Sequence, residues 1–185
     1  MLWWIWVIIA LVALLIILFV TYFNKIIVLS NRIDNAFSQI DVQLKRRNDL
    51  IPNLVETVKG YAKHEKDVFT DVTKARTAMI NAGSDINSKM NASNALSGAL
   101  KSVFAVAENY PALKANENFI HLQQELSDIE SKIAYTRQFY NDSVLVYNNI
   151  VTTFPGLIFA GFYGKKEKVY LETPVPEREN VKVKF

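Results

Sequence analysis

The first twenty residues, Met1 to Val20, are apolar without exception, and the first charged side chain is Lys25. From Ile33 the pattern changes. Apolar positions recur at alternating three- and four-residue steps through Ile33, Phe37, Ile40, Leu44, Arg47, Ile51, Leu54, Val58, Tyr61, Glu65, Val68, Val72, Ala75 and Met79, and twelve of these fourteen are apolar. A repeat near 3.5 residues held over that length predicts a long helix packed in a bundle or coiled coil. Between the seam positions lie Asp34, Gln39, Asp41, Lys45, Glu56 and Lys59, a solvated face. Pro52 lacks an N–H and its ring crowds the preceding turn, which predicts a kink. The register continues beyond it, so the expectation is a bend rather than a reversal.

Asn81 to Ser88 is rich in Asn, Ser and Gly and reads as a loop. A second helix is expected from about Ala92 to Asn109, with Leu96, Leu100, Val103 and Ala107 on one face and Pro111 ending or interrupting it. A third long series runs Phe119, Leu122, Leu126, Ile129, Ile133, Thr136, Tyr140, Ser143, Tyr147, Ile150 and Phe154, with nine of eleven apolar, and Pro155-Gly156 stops it. No convincing period-two alternation occurs before residue 165. The expected fold is all-α: an N-terminal transmembrane helix, then an antiparallel bundle of three long helices, the first kinked at Pro52.

Crossing a hydrocarbon core of ~30 Å takes about 20 apolar residues in a helix. Leu2 to Phe23 supplies that length. No basic residue precedes the run, and Thr21-Tyr22-Phe23-Asn24 offers no small-x-small cleavage site, so the segment reads as an uncleaved anchor rather than a signal peptide. Trp3, Trp4 and Trp6 at one end and Tyr22 at the other match the aromatic belts of a span, with Lys25 just beyond. Lys25 and Arg32 follow the span while only the α-amine precedes it, which favours an external N-terminus and a cytoplasmic main domain.

Beyond the anchor, composition is that of an ordinary folded domain. All 21 Lys+Arg and 18 Asp+Glu lie past residue 24, and the net charge of +3 is too weak to indicate nucleic acid. Absence of cysteine excludes disulfides, thiolate zinc sites and iron–sulfur clusters. The two histidines, His64 and His121, form no metal motif: His64-Glu65 has no second histidine four residues on, and His121 with Glu125 is a single i, i+4 pair. Gly156, Gly161 and Gly164 lack the Lys-Ser/Thr ending of a phosphate loop. No catalytic residue, cofactor or metal is therefore assigned, and an enzyme is not the expected class.

Two polar residues interrupt the first seam, Arg47 and Glu65. Polar groups at such positions fix register or assembly at some expense of stability, and a buried arginine needs an acceptor. One expectation is a bond from Arg47 to a carbonyl or polar side chain of the third long helix; the other is an arginine that snorkels outward along its stem. Tyr140-Asn141 and Tyr147-Asn148 repeat at seven residues, as polar partners across the bundle or as core-edge filler. The uncharged run Phe154 to Gly164 is too short to span a bilayer. If the three long helices alternate in direction, it lies far from the membrane, either capping the core or offering Phe154, Leu157, Ile158, Phe159 and Phe162 to a partner or second copy. Residues 165–185, with Lys165, Lys166 and Lys168, read as an extended tail ending in Val181-Lys182-Val183-Lys184-Phe185.

The stretch Ile40-Asp41-Val42-Gln43-Leu44-Lys45-Arg46-Arg47-Asn48-Asp49-Leu50-Ile51-Pro52-Asn53-Leu54-Val55-Glu56-Thr57-Val58-Lys59-Gly60-Tyr61-Ala62-Lys63-His64-Glu65 closely resembles the signature of the LemA family. Ala75-Arg76, Ala107-Glu108-Asn109-Tyr110-Pro111-Ala112-Leu113-Lys114-Ala115, Tyr140-Asn141 through Tyr147-Asn148, and Phe154-Pro155 continue the resemblance in order. It implies a bacterial membrane protein with one N-terminal span and a helical domain, without implying an activity. Some members are associated with magnetosome membrane formation, which points to membrane organisation.

The organisation expected is an anchor over 1–24, a helical bundle over 25–164 and a tail over 165–185. The function expected is a single-pass scaffold that self-associates or organises partners at the bilayer. Its partners would be the lipid bilayer, further copies of itself and a possible membrane protein, with no nucleic acid. The alternative is an adaptor or receptor for envelope stress or a membrane protease.

Overall fold

A computed structural model of the chain describes residues 3–172. Val181–Phe185 and the rest of the expected tail beyond residue 172 lie outside the described residues, as do Met1 and Leu2. The described residues form six helices and no strand: α1 (Trp3–Lys59), α2 (Lys66–Asn81), α3 (Ile86–Ala107), α4 (Pro111–Lys114), α5 (Glu117–Thr152) and α6 (Gly156–Phe162). The all-α bundle expected from the apolar periodicity is the fold observed. Contacts divide the molecule into two compact units, one joining the chain up to Ser38 to Thr136–Tyr170, the other built on Gln39–Tyr135.

In the unit built on Gln39–Tyr135, the periodic seam closes into a hydrophobic core. Ile51, Leu54, Val58, Phe69, Val72, Leu96, Leu100, Val103, Leu113, Phe119, Leu122 and Leu126 are buried together. The seam from Ile33 to Met79 is not one helix here. α1 passes through Pro52 without interruption and ends at Lys59; the chain turns over Gly60–Glu65 and returns as α2. Tyr61 and Ala62 N–H groups both bond back to Val58 O, at 3.0 and 2.9 Å, closing the helix end. Arg76 Nε donates to Asn48 O at 3.4 Å and Lys59 Nζ lies 5.9 Å from the Phe69 ring, so α2 runs antiparallel to α1. Physically, Gly60 adds backbone entropy and no side chain to continue the helix, and the turn is long enough to keep the heptad phase. The corner is tied down by polar bonds: Tyr110 donates to Glu65 Oε1 at 3.1 Å, and Asn116 Nδ2 donates to Tyr61 OH at 3.1 Å.

The loop expected at Asn81–Ser88 narrows to the four residues between α2 and α3. Gly83 takes φ +66°, a left-handed conformation open to glycine. Asp85 caps α3, its Oδ2 accepting from Ser88 N–H at 2.7 Å, and these bonds hold its carboxyl below the usual range. Asn116 caps α5 in the same way, accepting from Phe119 N–H at 3.0 Å. Lys89 bonds Asp41 at 2.5 Å and Ser97, further along α3, bonds Arg47, so α3 runs parallel to α1. Arg46 bonds Glu125 at 3.2 Å while Asn116, just before α5, bonds Tyr61, just after α1, so α5 runs antiparallel to it.

In the unit that joins the chain up to Ser38 to Thr136–Tyr170, α1 packs along the last turns of α5. Arg32 sits over the Phe139 ring at 4.8 Å, and the Phe37 and Tyr140 rings meet at 6.4 Å. Ile26, Ile33, Ala36, Val144 and Tyr147 are buried.

Candidate functional site

Among the described residues, the apolar half of α1 is largely uncovered before Phe19. Its most apolar 18-residue window is 0% buried, with Leu14 56% and Ile17 61% exposed. Trp3, Trp4 and Trp6 are likewise exposed, and Tyr22 and Lys25 lie near the far end of the window. This is the one described helix long and apolar enough to cross a membrane. It continues without a break into the bundle.

At the lower end of that segment sits α6. Pro155 and Gly156 end α5 and turn the chain by 89° into α6. Gly156 is required by space: a Cβ there would stand 2.1 Å from Ile150 O, inside any real contact distance. The turn lays one face of α6 on α1. The Phe159 ring stacks on Tyr22 at 5.0 Å and meets Phe19 edge-on at 6.1 Å. Tyr163 contacts both Phe19 and Phe23 at 4.9 Å, and its hydroxyl donates to Phe19 O at 2.8 Å. The opposite face is open, with Phe154 81%, Leu157 54%, Ile158 50% and Phe162 76% exposed. The expected position of this run, far from the apolar segment, is therefore corrected. The unrecognised reversal at Gly60–Glu65 adds one pass, so α5 descends and delivers α6 to residues 19–23. Of the five residues proposed as a contact surface, Phe159 is turned inward and the other four share the open face.

Residues beyond α6 run along this unit as a strap. Asn148, nearly buried, grips it at two points: Nδ2 donates to Lys168 O at 2.9 Å and Oδ1 accepts from Lys168 N–H at 2.8 Å. Tyr140 OH donates to Val169 O at 3.2 Å, and Lys168 Nζ pairs with Asp34 at 3.2 Å. The seven-residue Tyr-Asn repeat thus supplies Tyr140 and Asn148 to the strap. Burial, with the Asp34 charge adding to it, holds the Tyr140 and Tyr147 phenols above their ordinary pKa.

The two polar seam residues lie in the other unit and are not brought together. Arg47 is fully buried. Its Nη1 donates to Glu130 Oε2 at 2.6 Å and Ser97 Oγ at 2.9 Å, and its Nη2 to Ser93 Oγ at 2.7 Å and Ser93 O at 3.1 Å. Acceptors thus come from α3 as well as α5. Burial lowers the guanidinium pKa, and the Glu130 carboxylate opposes that shift. Ser93 and Ser97, one turn apart on α3, gave no sequence signal as acceptors; a small polar pair facing an arginine is visible only once α3 is docked. Glu65 stands at the head of α2, bonded to Tyr110, rather than on a helix seam.

Within its cluster Arg47 only donates, while Ser97 Oγ also donates to Glu130 Oε1 at 3.0 Å, and Ser97 and Glu130 line a groove with Leu100, Phe104 and Leu126. His121 lies 3.9 Å from Glu125 beside the Arg46 pair, in an open groove lined also by Leu50, Asn53 and Asn118. Among the described residues, no group of three or more His, Asp or Glu is placed to hold a metal.

The LemA family sequence profile matches residues 36–185. This chain belongs to the LemA family. Among its relatives is magnetosome protein MamQ 2 of Paramagnetospirillum magneticum, 25% identical over 175 residues, covering 81% of this chain and 64% of that protein. Magnetosome protein MamQ of Magnetospirillum gryphiswaldense is 28% identical over 158 residues, covering 72% and 58%. Protein LemA of Metamycoplasma hominis is 28% identical over 134 residues, covering 71% and 60%. The chain spans roughly three-fifths of the length of these curated relatives. The family match takes in the buried Arg47, the Tyr140 and Asn148 grips and α6, and leaves the whole apolar segment outside it.

Proposed function

We propose that this LemA-family protein is a membrane-tethered helical scaffold without catalytic chemistry. The apolar part of α1 would be its single anchor, and the bundle would present a surface to further copies or to membrane partners. The observation that carries this reading is the continuity of α1. One helix, Trp3–Lys59, joins an uncovered apolar segment to the buried seam of the bundle. Such a helix carries the chain out of the apolar segment without an intervening loop. The relatives named magnetosome proteins support a role at a membrane over one in solution.

Lys25 and Arg32 after the segment favour a cytoplasmic bundle and an external N-terminus. Lys165 and Lys166, which follow the helix packed on residues 19–23, add positive charge on the same side. Protease added outside intact cells should leave the bundle intact; complete digestion would reverse the topology. Cross-linking of the full chain in native membranes tests the scaffold. Discrete higher-order species are expected, whereas a strictly monomeric and partner-free protein contradicts the reading. A partner set that changes on envelope stress would instead indicate an adaptor.

A further inference from the structure

The open face of α6 lies against the end of the anchor, and this position, rather than its apolarity alone, identifies its occupant. We propose that α6 is a second membrane contact: a short helix lying in the plane of the bilayer, its face of Phe154, Leu157, Ile158 and Phe162 inserted among the acyl chains of one leaflet. The inference rests on the reading of residues 3–23 as a span.

Three observations carry it. First, depth: Phe159 and Tyr163 pack on Phe19, Tyr22 and Phe23, the last turns of the apolar segment, so α6 sits where a span of that length leaves the hydrocarbon. Second, orientation: the 89° turn after α5, whose last turns lie along α1, sets α6 across the anchor direction. A helix across a span at its end lies along the membrane surface. Third, chemistry: no charge occurs from Phe154 to Gly164, and Lys165 and Lys166 follow at once. An apolar face with lysines at its margin is the pattern of helices that bury one side at the boundary of headgroup and acyl chain. Tyr163 donates its hydroxyl to Phe19 O, so its polar atom has an acceptor without water. Gly156 makes the corner possible, since a side chain there would collide with Ile150 O and push α6 away from α1.

The absence of cysteine allows a direct test on the full chain. Single variants Leu14→Cys, Ile158→Cys, Phe162→Cys and Tyr135→Cys, all at exposed positions, would carry an environment-sensitive fluorophore. Each would be reconstituted in phosphatidylcholine/phosphatidylglycerol vesicles with lipids brominated either near the headgroup or near the chain end. Position 14 should be quenched by the deep bromines, positions 158 and 162 by the shallow ones, and position 135 by neither. If position 14 escapes quenching, the anchor reading fails and α6 falls with it. If position 14 is quenched while 158 and 162 emit like 135, the anchor stands and this inference is overturned. Probes at 158 and 162 that are shielded from water yet unquenched by any brominated lipid would mean that protein covers the face, which also overturns it.

Discussion

Removing Glu130 should destabilise the Gln39–Tyr135 unit more than removing its buried partner Arg47. The pair is asymmetric: the Arg47 side chain is 1% exposed and the Glu130 side chain 50%. In Arg47→Met the apolar stem is retained, Glu130 returns to water, and Ser97 Oγ already donates to Ser93 O at 3.2 Å, so Ser97 keeps an acceptor. What is lost is the net value of hydrogen bonds whose acceptors can re-pair, about 1–2 kcal/mol. Glu130→Ala leaves the guanidinium inside with two hydroxyls and one carbonyl, and with an Nε that already has no partner among the described residues. Stranding one member of a buried pair costs roughly 3–5 kcal/mol; entry of water through the half-open Glu130 site reduces that to roughly 2–3. With a urea slope of about 2 kcal/mol/M, the midpoint falls by roughly 1–1.5 M for Glu130→Ala and about 0.5–1 M for Arg47→Met. Urea titrations of the full chain in detergent, followed by far-ultraviolet circular dichroism, would read both values. The double variant should resemble Arg47→Met alone, because no charge is then stranded. A Glu130→Ala variant no weaker than Arg47→Met, or two costs that simply add, would refute the argument.

Three further outcomes are expected. Gly156→Ala places a methyl group against Ile150 O and should destabilise the α5–α6 corner by about 1–3 kcal/mol, the usual range for overpacking; proteolysis near residues 154–165 should accelerate, and unchanged cleavage would contradict the steric argument. Asn148→Ala removes both grips on Lys168, so hydrogen exchange at the Lys168 amide should rise to the level of a solvent-exposed strand while amides of α3 keep their protection. Asn148→Asp keeps the acceptor but not the donor and should fall between. Because Tyr140 and Tyr147 are held above the ordinary tyrosine value of 10.0, the fold binds their protons more tightly than the unfolded chain does. The resulting stability is fully present below that value and is lost as pH rises through and beyond it, by up to about 1.4 kcal/mol per pH unit for each phenol. Asp34→Asn should make the alkaline loss shallower in urea titrations run across that range.

The Arg47 and α6 sites differ in how they could be anticipated. Arg47 stands out because a charged residue occupies a position whose neighbours, Leu44 and Ile51, are buried, and such a residue must find acceptors. Its acceptors were half legible: Glu130 lies on the expected third long helix, next to the seam residue Ile129, whereas the serines of α3 carry no pattern at all. The α6 run was visible as an uncharged aromatic stretch, but its location was inferred from a count of reversals, and the count missed Gly60. Apolar periodicity records which face of a segment is buried and says nothing about direction. A turn that preserves phase, with Tyr61 and Glu65 falling on the seam positions, leaves the pattern uninterrupted while the chain doubles back.

Residue order and spacing alone were sufficient for an all-helical chain, an uncovered apolar N-terminal segment, the ends of α5 and membership of the LemA family. Each of these rests on local chemistry: the length of an apolar run, a period of three and four, a Pro-Gly stop, a conspicuous motif. Tertiary packing decided the rest. It supplied serine acceptors for Arg47, turned Asn148 into a grip on the C-terminal strap, and set α6 on Phe19, Tyr22 and Phe23. Those outcomes depend on the parity of helix passes and on which faces meet, properties of the folded chain as a whole that no short window of sequence contains.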